Sequence, residues 1–387
     1  MAPPPEPVLI VDGHLDLAFN ALHHRRDLTQ NVQALRERED IYRDGVGASE
    51  SPGLAVHPDA LRKKPRGGGE GIATVALPEL RAGRVGIVLS TIMARVQMPT
   101  GFQADGVRTQ AAAHAIGQSH LHYYKALERA GEVTILRTAA DLEASVCTWQ
   151  DSPGESTPIG LVLSMESADP ILGADDVQAW YDAGLRSVSL THFGANSWGH
   201  GTGTKGGLYA NAYPLLDALG AAGIALDVSH AADLTFWQLL DCWEGPVHAS
   251  HCMCRSLVPG QRHLSDDMIK TIAHRGGVIG MVLAEPMLNP DVDFDDLSTA
   301  PAVSTRPMVA IADHIDHICQ LTGSNEHVAI GSDLDGGFGR EWAPVDLDSI
   351  ADMQKLPGRL EGRGFSADDI AAITHRNLLA FLRRVLP

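Results

Sequence analysis

The chain has 387 residues, of which 44% are hydrophobic and 20% charged, a balance that suits a large core and argues against global disorder. Its formal net charge of −18 disfavours nucleic acid and anionic membrane surfaces, since both call for clustered Lys and Arg. The five cysteines include no Cys-x-x-Cys pair, which argues against a disulfide framework or a structural zinc site.

The N-terminal Met-Ala-Pro-Pro-Pro-Glu-Pro lacks the basic and apolar stretches of a secretory signal. No apolar run reaches membrane-spanning length, so a cytoplasmic protein is expected. Residues 8–16 form the first of eight short apolar, β-branched segments; the others are 85–94, 159–167, 187–192, 225–230, 247–251, 277–284 and 328–336. Most are continuous apolar runs, as expected of parallel strands buried on both faces. Helical spacing fills the gaps, for example at 175–183, 208–222, 266–275 and 308–321. Strand and helix alternating eight times predict an α/β fold, a TIM-like (β/α)8 barrel over a single domain, residues 1–387. The pattern alone also allows a doubly wound open sheet. Two stretches depart from the repeat. Residues 25–70, rich in charge, Gly and Pro, are expected to form a long, partly mobile surface insertion at the barrel mouth. Residues 286–307 read as a second polar loop.

In such barrels the chemistry sits at the C-terminal ends of the strands. Applied to the 18 histidines, that rule leaves His14, His192, His230 and His251. His-x-Asp occurs three times, but His57/Asp59 lies in a Pro-rich loop and His314/Asp316 in a helical pattern. Only His14 and Asp16 close an apolar strand, where i and i+2 share a face and can reach one metal. His230 and His251 each end a segment in a Ser-His step, one βα unit apart. Each could be a hydrogen-bonded core histidine; together they could converge on a second metal. Glu166 ends the run Ile159-Gly160-Leu161-Val162-Leu163-Ser164-Met165, where a carboxylate is costly unless it meets cations. It reads either as an ion pair with an Arg or as a bridge between two metals. Asp333 and Asp335 close the last segment; one of them could cap the turn, and Asp333 is the candidate proton carrier. Gly199 to Gly207 has the flavour of a phosphate loop, but the residues around Lys205 break the Walker pattern. Gly-Ala-Asn-Ser-Trp-Gly after His192 is expected to contact substrate. No Gly-x-Ser-x-Gly elbow supports a serine hydrolase.

Taken in order, Val11-Asp12-Gly13-His14-Leu15-Asp16-Leu17, Leu190-Thr191-His192, Asp227-Val228-Ser229-His230, Ser250-His251, Arg262-His263-Leu264-Ser265-Asp266-Asp267 and Ile330-Gly331-Ser332-Asp333-Leu334-Asp335-Gly336 resemble the membrane (renal-type) dipeptidases of the amidohydrolase superfamily. The resemblance spans most of the chain. It implies a binuclear zinc dipeptidase, with two Zn2+ per chain and a hydroxide bridging them. His14 and Asp16 would hold one zinc, His230 and His251 the other, and Glu166 would bridge. It further implies that His192 lies near the scissile carbonyl oxygen, that Arg262 grips the C-terminal carboxylate of a dipeptide, and that Asp333 passes a proton to the leaving amine. Glu166-Ser167-Ala168 stands where the family usually shows Glu-Gly-Gly, and the 25–70 insertion is longer than expected. The expected partner is the dipeptide substrate, with no nucleic acid or membrane and a possible homodimer. A related amidohydrolase acting on N-acyl amino acids or lactams is the alternative enzyme. A catalytically silent barrel binding protein is the alternative from another class.

Overall fold

The computed structural model describes residues 7–43, 71–97, 106–293 and 299–387. Eight of its strands follow the eight apolar segments: β1 (Ile10–Leu15), β2 (Val85–Met93), β4 (Ile159–Glu166), β5 (Leu185–Ser189), β6 (Ala225–Asp227), β7 (Val247–His248), β8 (Ile279–Met281) and β9 (Val328–Ile330). All pair in parallel, in the order β7-β6-β5-β4-β2-β1-β9-β8. A single bridge between Ala249 and Ile279 joins the two ends, with Ala249 N donating to Val278 O (2.9 Å) and Gly280 N to Ala249 O (2.8 Å). The sheet therefore closes as a TIM-type barrel rather than opening as a doubly wound sheet. β4 shows why the segments read as continuous runs, because all eight of its residues are buried.

Sequence reading missed β3 (Val133–Ile135), which pairs with the start of β4 outside the main ring. Only three residues long, with Thr134 exposed between two buried neighbours, it carries too little periodicity to register. The helices fall where spacing put them: Val177–Ala183, Ala212–Ala222, Asp266–His274 and Ile311–Thr322. Phe236 and Leu239 turn into the core, while Trp237 stays partly exposed.

Several strands stop short of their predicted ends, and buried carboxylates explain this. Asp227 Oδ1 accepts from Ser229 N (2.9 Å) and Ser250 N (3.0 Å), diverting those amides from the ladder just before His230 and His251. Asp12 does the same beside β9, accepting from Ser332 N (2.8 Å) and Ser332 Oγ (2.5 Å). Beyond the strands, Ser167, His230, Asp333 and Asp335 take positive φ of 57–68°, a region costly for residues other than glycine.

The insertion after β1 needs correction. Its first part is packed rather than a surface excursion: Leu28, Val32 and Leu35 are buried, and a helix spans Val32–Arg43. Arg26 is buried and donates to Glu39 Oε1 (2.7 Å), Asn20 Oδ1 (2.7 Å), Asp335 Oδ2 (3.1 Å) and Gly71 O (3.1 Å). The expectations for 44–70, His57 and Asp59 included, fall outside the described residues. After β8, Glu285 is likewise buried and accepts from Ser304, Thr305, Arg306 and Asn289, which tethers much of the second polar loop.

Candidate active site

Asp16, Glu166 and the four strand-end histidines selected from sequence meet in one place. Glu166 Oε1 lies 3.7 Å from His14 Nε2, 3.5 Å from His192 Nε2, 3.3 Å from His230 Nε2 and 3.4 Å from His251 Nε2. His14 Nε2 is also 3.9 Å from Asp16 Oδ1 and 3.8 Å from Asp333 Oδ1. These separations exceed most hydrogen bonds but suit donors arranged around shared cations. Among the described residues, the groups that could hold an ion are His14/Asp16/Glu166, Glu166/His230/His251 and His14/His251/Asp333. His14 Nε2 is buried with no hydrogen-bond partner among the described residues, an arrangement that a metal would satisfy.

Neighbouring hydroxyls orient the rings. Ser250 Oγ lies 2.7 Å from His251 Nδ1 and 3.3 Å from His14 Nδ1, and Thr202 Oγ1 lies 3.3 Å from His230 Nδ1. Each leaves Nε2 aimed at Glu166, as partners behind a metal ligand do. Thr91 Oγ1 donates to Asp16 Oδ1. The glycine-rich stretch carries no phosphate-loop role here. Instead Thr202 N donates to both His192 O (3.0 Å) and His230 O (2.9 Å). Gly201 permits that approach, since a Cβ there would sit 1.8 Å from His192 O.

The expected substrate-contacting loop after His192 proves to be structural in part. Asn196 Nδ2 binds Ser167 Oγ (3.0 Å) and Leu190 O (2.7 Å), and buried Trp198 donates to Ala168 O (2.9 Å). The Ser167 hydroxyl, which also donates to Asp169 Oδ2 (3.1 Å), ties down a residue at positive φ in the place of the family's glycine. His248 faces away from the site, with its Nε2 2.7 Å from Ser187 Oγ. Cys252 and Cys254 are buried free thiols.

Burial dominates the electrostatics. It lowers the pKa of His14, His192, His230 and His251 well below the ordinary range, so the imidazoles are neutral, the form that ligates metal. Burial, reinforced by Glu166, pushes Asp16 up to about 8. Burial likewise pushes Glu166 up to about 7, and, with Asp16 and Glu166 nearby, raises Asp333 far above the carboxylate range. Three buried carboxyls crowded this closely, only partly offset by Arg262 and Arg95, are the electrostatic signature of a site built for further positive charge.

Arg262 is buried against this cluster, donating to His251 O (2.8 Å) and to Cys252 Sγ (3.2 Å). Sequence reasoning missed Arg95, whose Nη1 lies 2.5 Å from His192 Nδ1. It also missed Asp227, Ser250, Thr91 and Thr202 as supports. Arg95 immediately follows the apolar segment 85–94, so the strand-end rule, applied to every charged residue, would have found it.

A family model described as membrane dipeptidase (peptidase family M19) matches residues 6–386. An uncharacterized Klebsiella pneumoniae protein encoded in the pqqA 5′ region is 29% identical over 265 residues, covering 66% of this chain and 90% of that one. Dipeptidase aclJ of Aspergillus oryzae is 27% identical over 317 residues, covering 80% of this chain and 69% of that one. Among solved structures, an M19 metallopeptidase called dipeptidase AC superposes with a TM-score of 0.74 at 20% identity, covering 98% of this chain and 99% of that one. A Rhodobacter sphaeroides metallopeptidase, liganded with a phosphinate mimic of L-Ala-D-Ala, gives 0.73 at 20% identity, with 98% and 100% covered.

Proposed function

As a member of the membrane dipeptidase family (peptidase family M19), to which it belongs, the chain is a metal-dependent dipeptidase, and we propose that it hydrolyses free dipeptides at a centre of two zinc ions. The observation that carries this reading is the convergence of four imidazole Nε2 atoms within 3.7 Å of one Glu166 oxygen, with Asp16 and Asp333 beside them. His14 and Asp16 would hold one ion and His230 and His251 the other, with Glu166 shared. Zinc bound there would lower the pKa of water enough to supply a nucleophile near neutral pH and would polarise the scissile carbonyl.

The chain's own residues then divide the work. His192, at the rim of the cluster, donates a hydrogen bond to the carbonyl oxygen as negative charge builds on it. Asp333, held near His14 by a hydrogen bond from its backbone N–H to His14 O (3.3 Å), would be ionised beside bound cations, and would then take the proton of the attacking water and deliver it to the departing amine. Arg262 supplies a fixed positive charge for the substrate's free carboxylate, which restricts the site to short peptides with an open C-terminus. Despite the family's name, no helix among the described residues is long and apolar enough to cross a membrane.

The test is a substrate panel on zinc-loaded protein, including L-Ala-D-Ala because the Rhodobacter sphaeroides neighbour holds its mimic. Free dipeptides should be cleaved, while the same dipeptides amidated at the C-terminus should not. Arg262→Ala should raise KM for free dipeptides roughly 10- to 100-fold, the scale of a lost charge-assisted hydrogen bond, with a smaller effect on kcat. Equal loss on free and amidated substrates would remove Arg262 from this role. No cleavage of any free dipeptide would remove the function.

A further inference from the structure

Three of the imidazoles around Glu166 differ from the fourth in what faces their Nδ1. For His14 and His251 it is the Ser250 hydroxyl, and for His230 the Thr202 hydroxyl. A hydroxyl oxygen can accept an N–H, so each of these rings can keep its proton on Nδ1 and offer a lone pair at Nε2, as a metal requires. His192 Nδ1 instead faces Arg95 Nη1 at 2.5 Å. A guanidinium only donates and stays charged, so this Nδ1 must be the acceptor and the neutral ring must carry its proton on Nε2. That Nε2 lies 3.5 Å from Glu166 Oε1, inside the same cluster.

We propose that Arg95 is a positioning residue that fixes His192 as its Nε2–H tautomer. His192 is thereby a hydrogen-bond donor to the scissile carbonyl oxygen and is barred from becoming a further imidazole ligand. The inference rests on the placement of His192 at that oxygen given under the proposed function. The guanidinium also polarises the ring, strengthening the Nε2 donor as charge develops on the substrate. Arg95 is well anchored for this task. Its carbonyl accepts from Val107 N (2.9 Å), and the next amide, Val96 N, donates to Asp169 Oδ2 (2.6 Å). Buried Asp169 also accepts from Ser167 Oγ (3.1 Å) and Ser197 N (3.0 Å), so one carboxylate ties together the loops after β2, β4 and β5.

The experiment is a two-bond 15N–1H correlation spectrum of zinc-loaded protein labelled at histidine, with the His192 signal identified by its absence from His192→Gln. The wild type should show Nε2 protonated and Nδ1 bare. In Arg95→Ala the ring should populate the Nδ1–H form. Its kcat should fall about 100-fold, the scale of one lost oxyanion donor, with KM changed far less. Arg95→Lys, which keeps a cationic donor, should restore the tautomer and much of kcat. An Nδ1–H signal in the wild type would overturn the proposal even if Arg95→Ala failed to fold. So would an Nε2–H tautomer and full kcat that survive in Arg95→Ala, or a rise in KM alone. Full kcat in His192→Gln would instead remove the placement of His192 at the carbonyl, leaving the tautomer to be judged from the wild-type spectrum.

Discussion

Glu166→Gln is expected to lose bound zinc and dipeptide turnover together. The substitution keeps the shape of the side chain but removes the negative charge at the point where four imidazoles converge. Its amide nitrogen cannot ligate a cation, so at most one oxygen remains where two ions would share a carboxylate. Losing a Lewis acid worth several kcal/mol predicts a fall in kcat/KM of about 1,000-fold or more. Elemental analysis should find less than the wild-type zinc per chain. Zinc added back after chelation should revive the wild type and not the variant. Wild-type turnover in metal-free Glu166→Gln protein would end the two-ion reading.

The fold should survive this change, because a neutral amide is cheaper to bury than a carboxylate. Burial also sets the sign of the pH effect. In the metal-free folded state Glu166 sits at about 7, above its ordinary 4.5, so the folded state holds a proton that the unfolded chain releases. Its contribution to stability is therefore full below about 4.5 and is lost as pH rises through about 7. Metal-free wild type should thus weaken over that window more than Glu166→Gln. Urea midpoints across the pH range would show it.

Asp335→Asn should destabilise the protein by about 3 kcal/mol, the lower end of the cost of removing one partner from a buried ion pair. Asp335 accepts from Arg26 Nη1 (3.1 Å), from Thr74 N (2.9 Å) and Oγ1 (2.5 Å), and from Val75 N (3.0 Å). An asparagine would turn an NH2 toward one of these donors and leave the buried Arg26 charge less compensated. The damage should reach the cluster around Glu166, because Asn20 Nδ2 bridges Asp335 O and Asp16 O, each at 3.0 Å. A shift in the urea midpoint worth less than about 1 kcal/mol would show that Arg26 is compensated without the Asp335 charge.

The ring of strands and the cluster at its mouth were legible for one shared reason. A buried parallel strand is written as a continuous apolar run, and a barrel of this type places its chemistry on the polar residues at the C-terminal ends of such runs. Hence His14, Glu166, His192, His230 and His251 could be picked out one segment at a time. The supports could not. Ser250 meets His14 across 236 residues, and Arg95 meets His192 across 97, so no local pattern joins them. β3 failed for want of length. The first part of the insertion, residues 25–43, looks like surface from its polar composition, yet a few apolar residues and one buried arginine dock it.

Ser250 has a single hydroxyl oxygen, and it touches a ring from each half of the proposed centre. If two ions bind as proposed, the two halves should therefore not fill independently. An ion seated against His251 would steady that hydroxyl, which would in turn preset His14 for a second. Zinc uptake should accordingly be cooperative, and a chain carrying one ion should be the scarcest species in a titration.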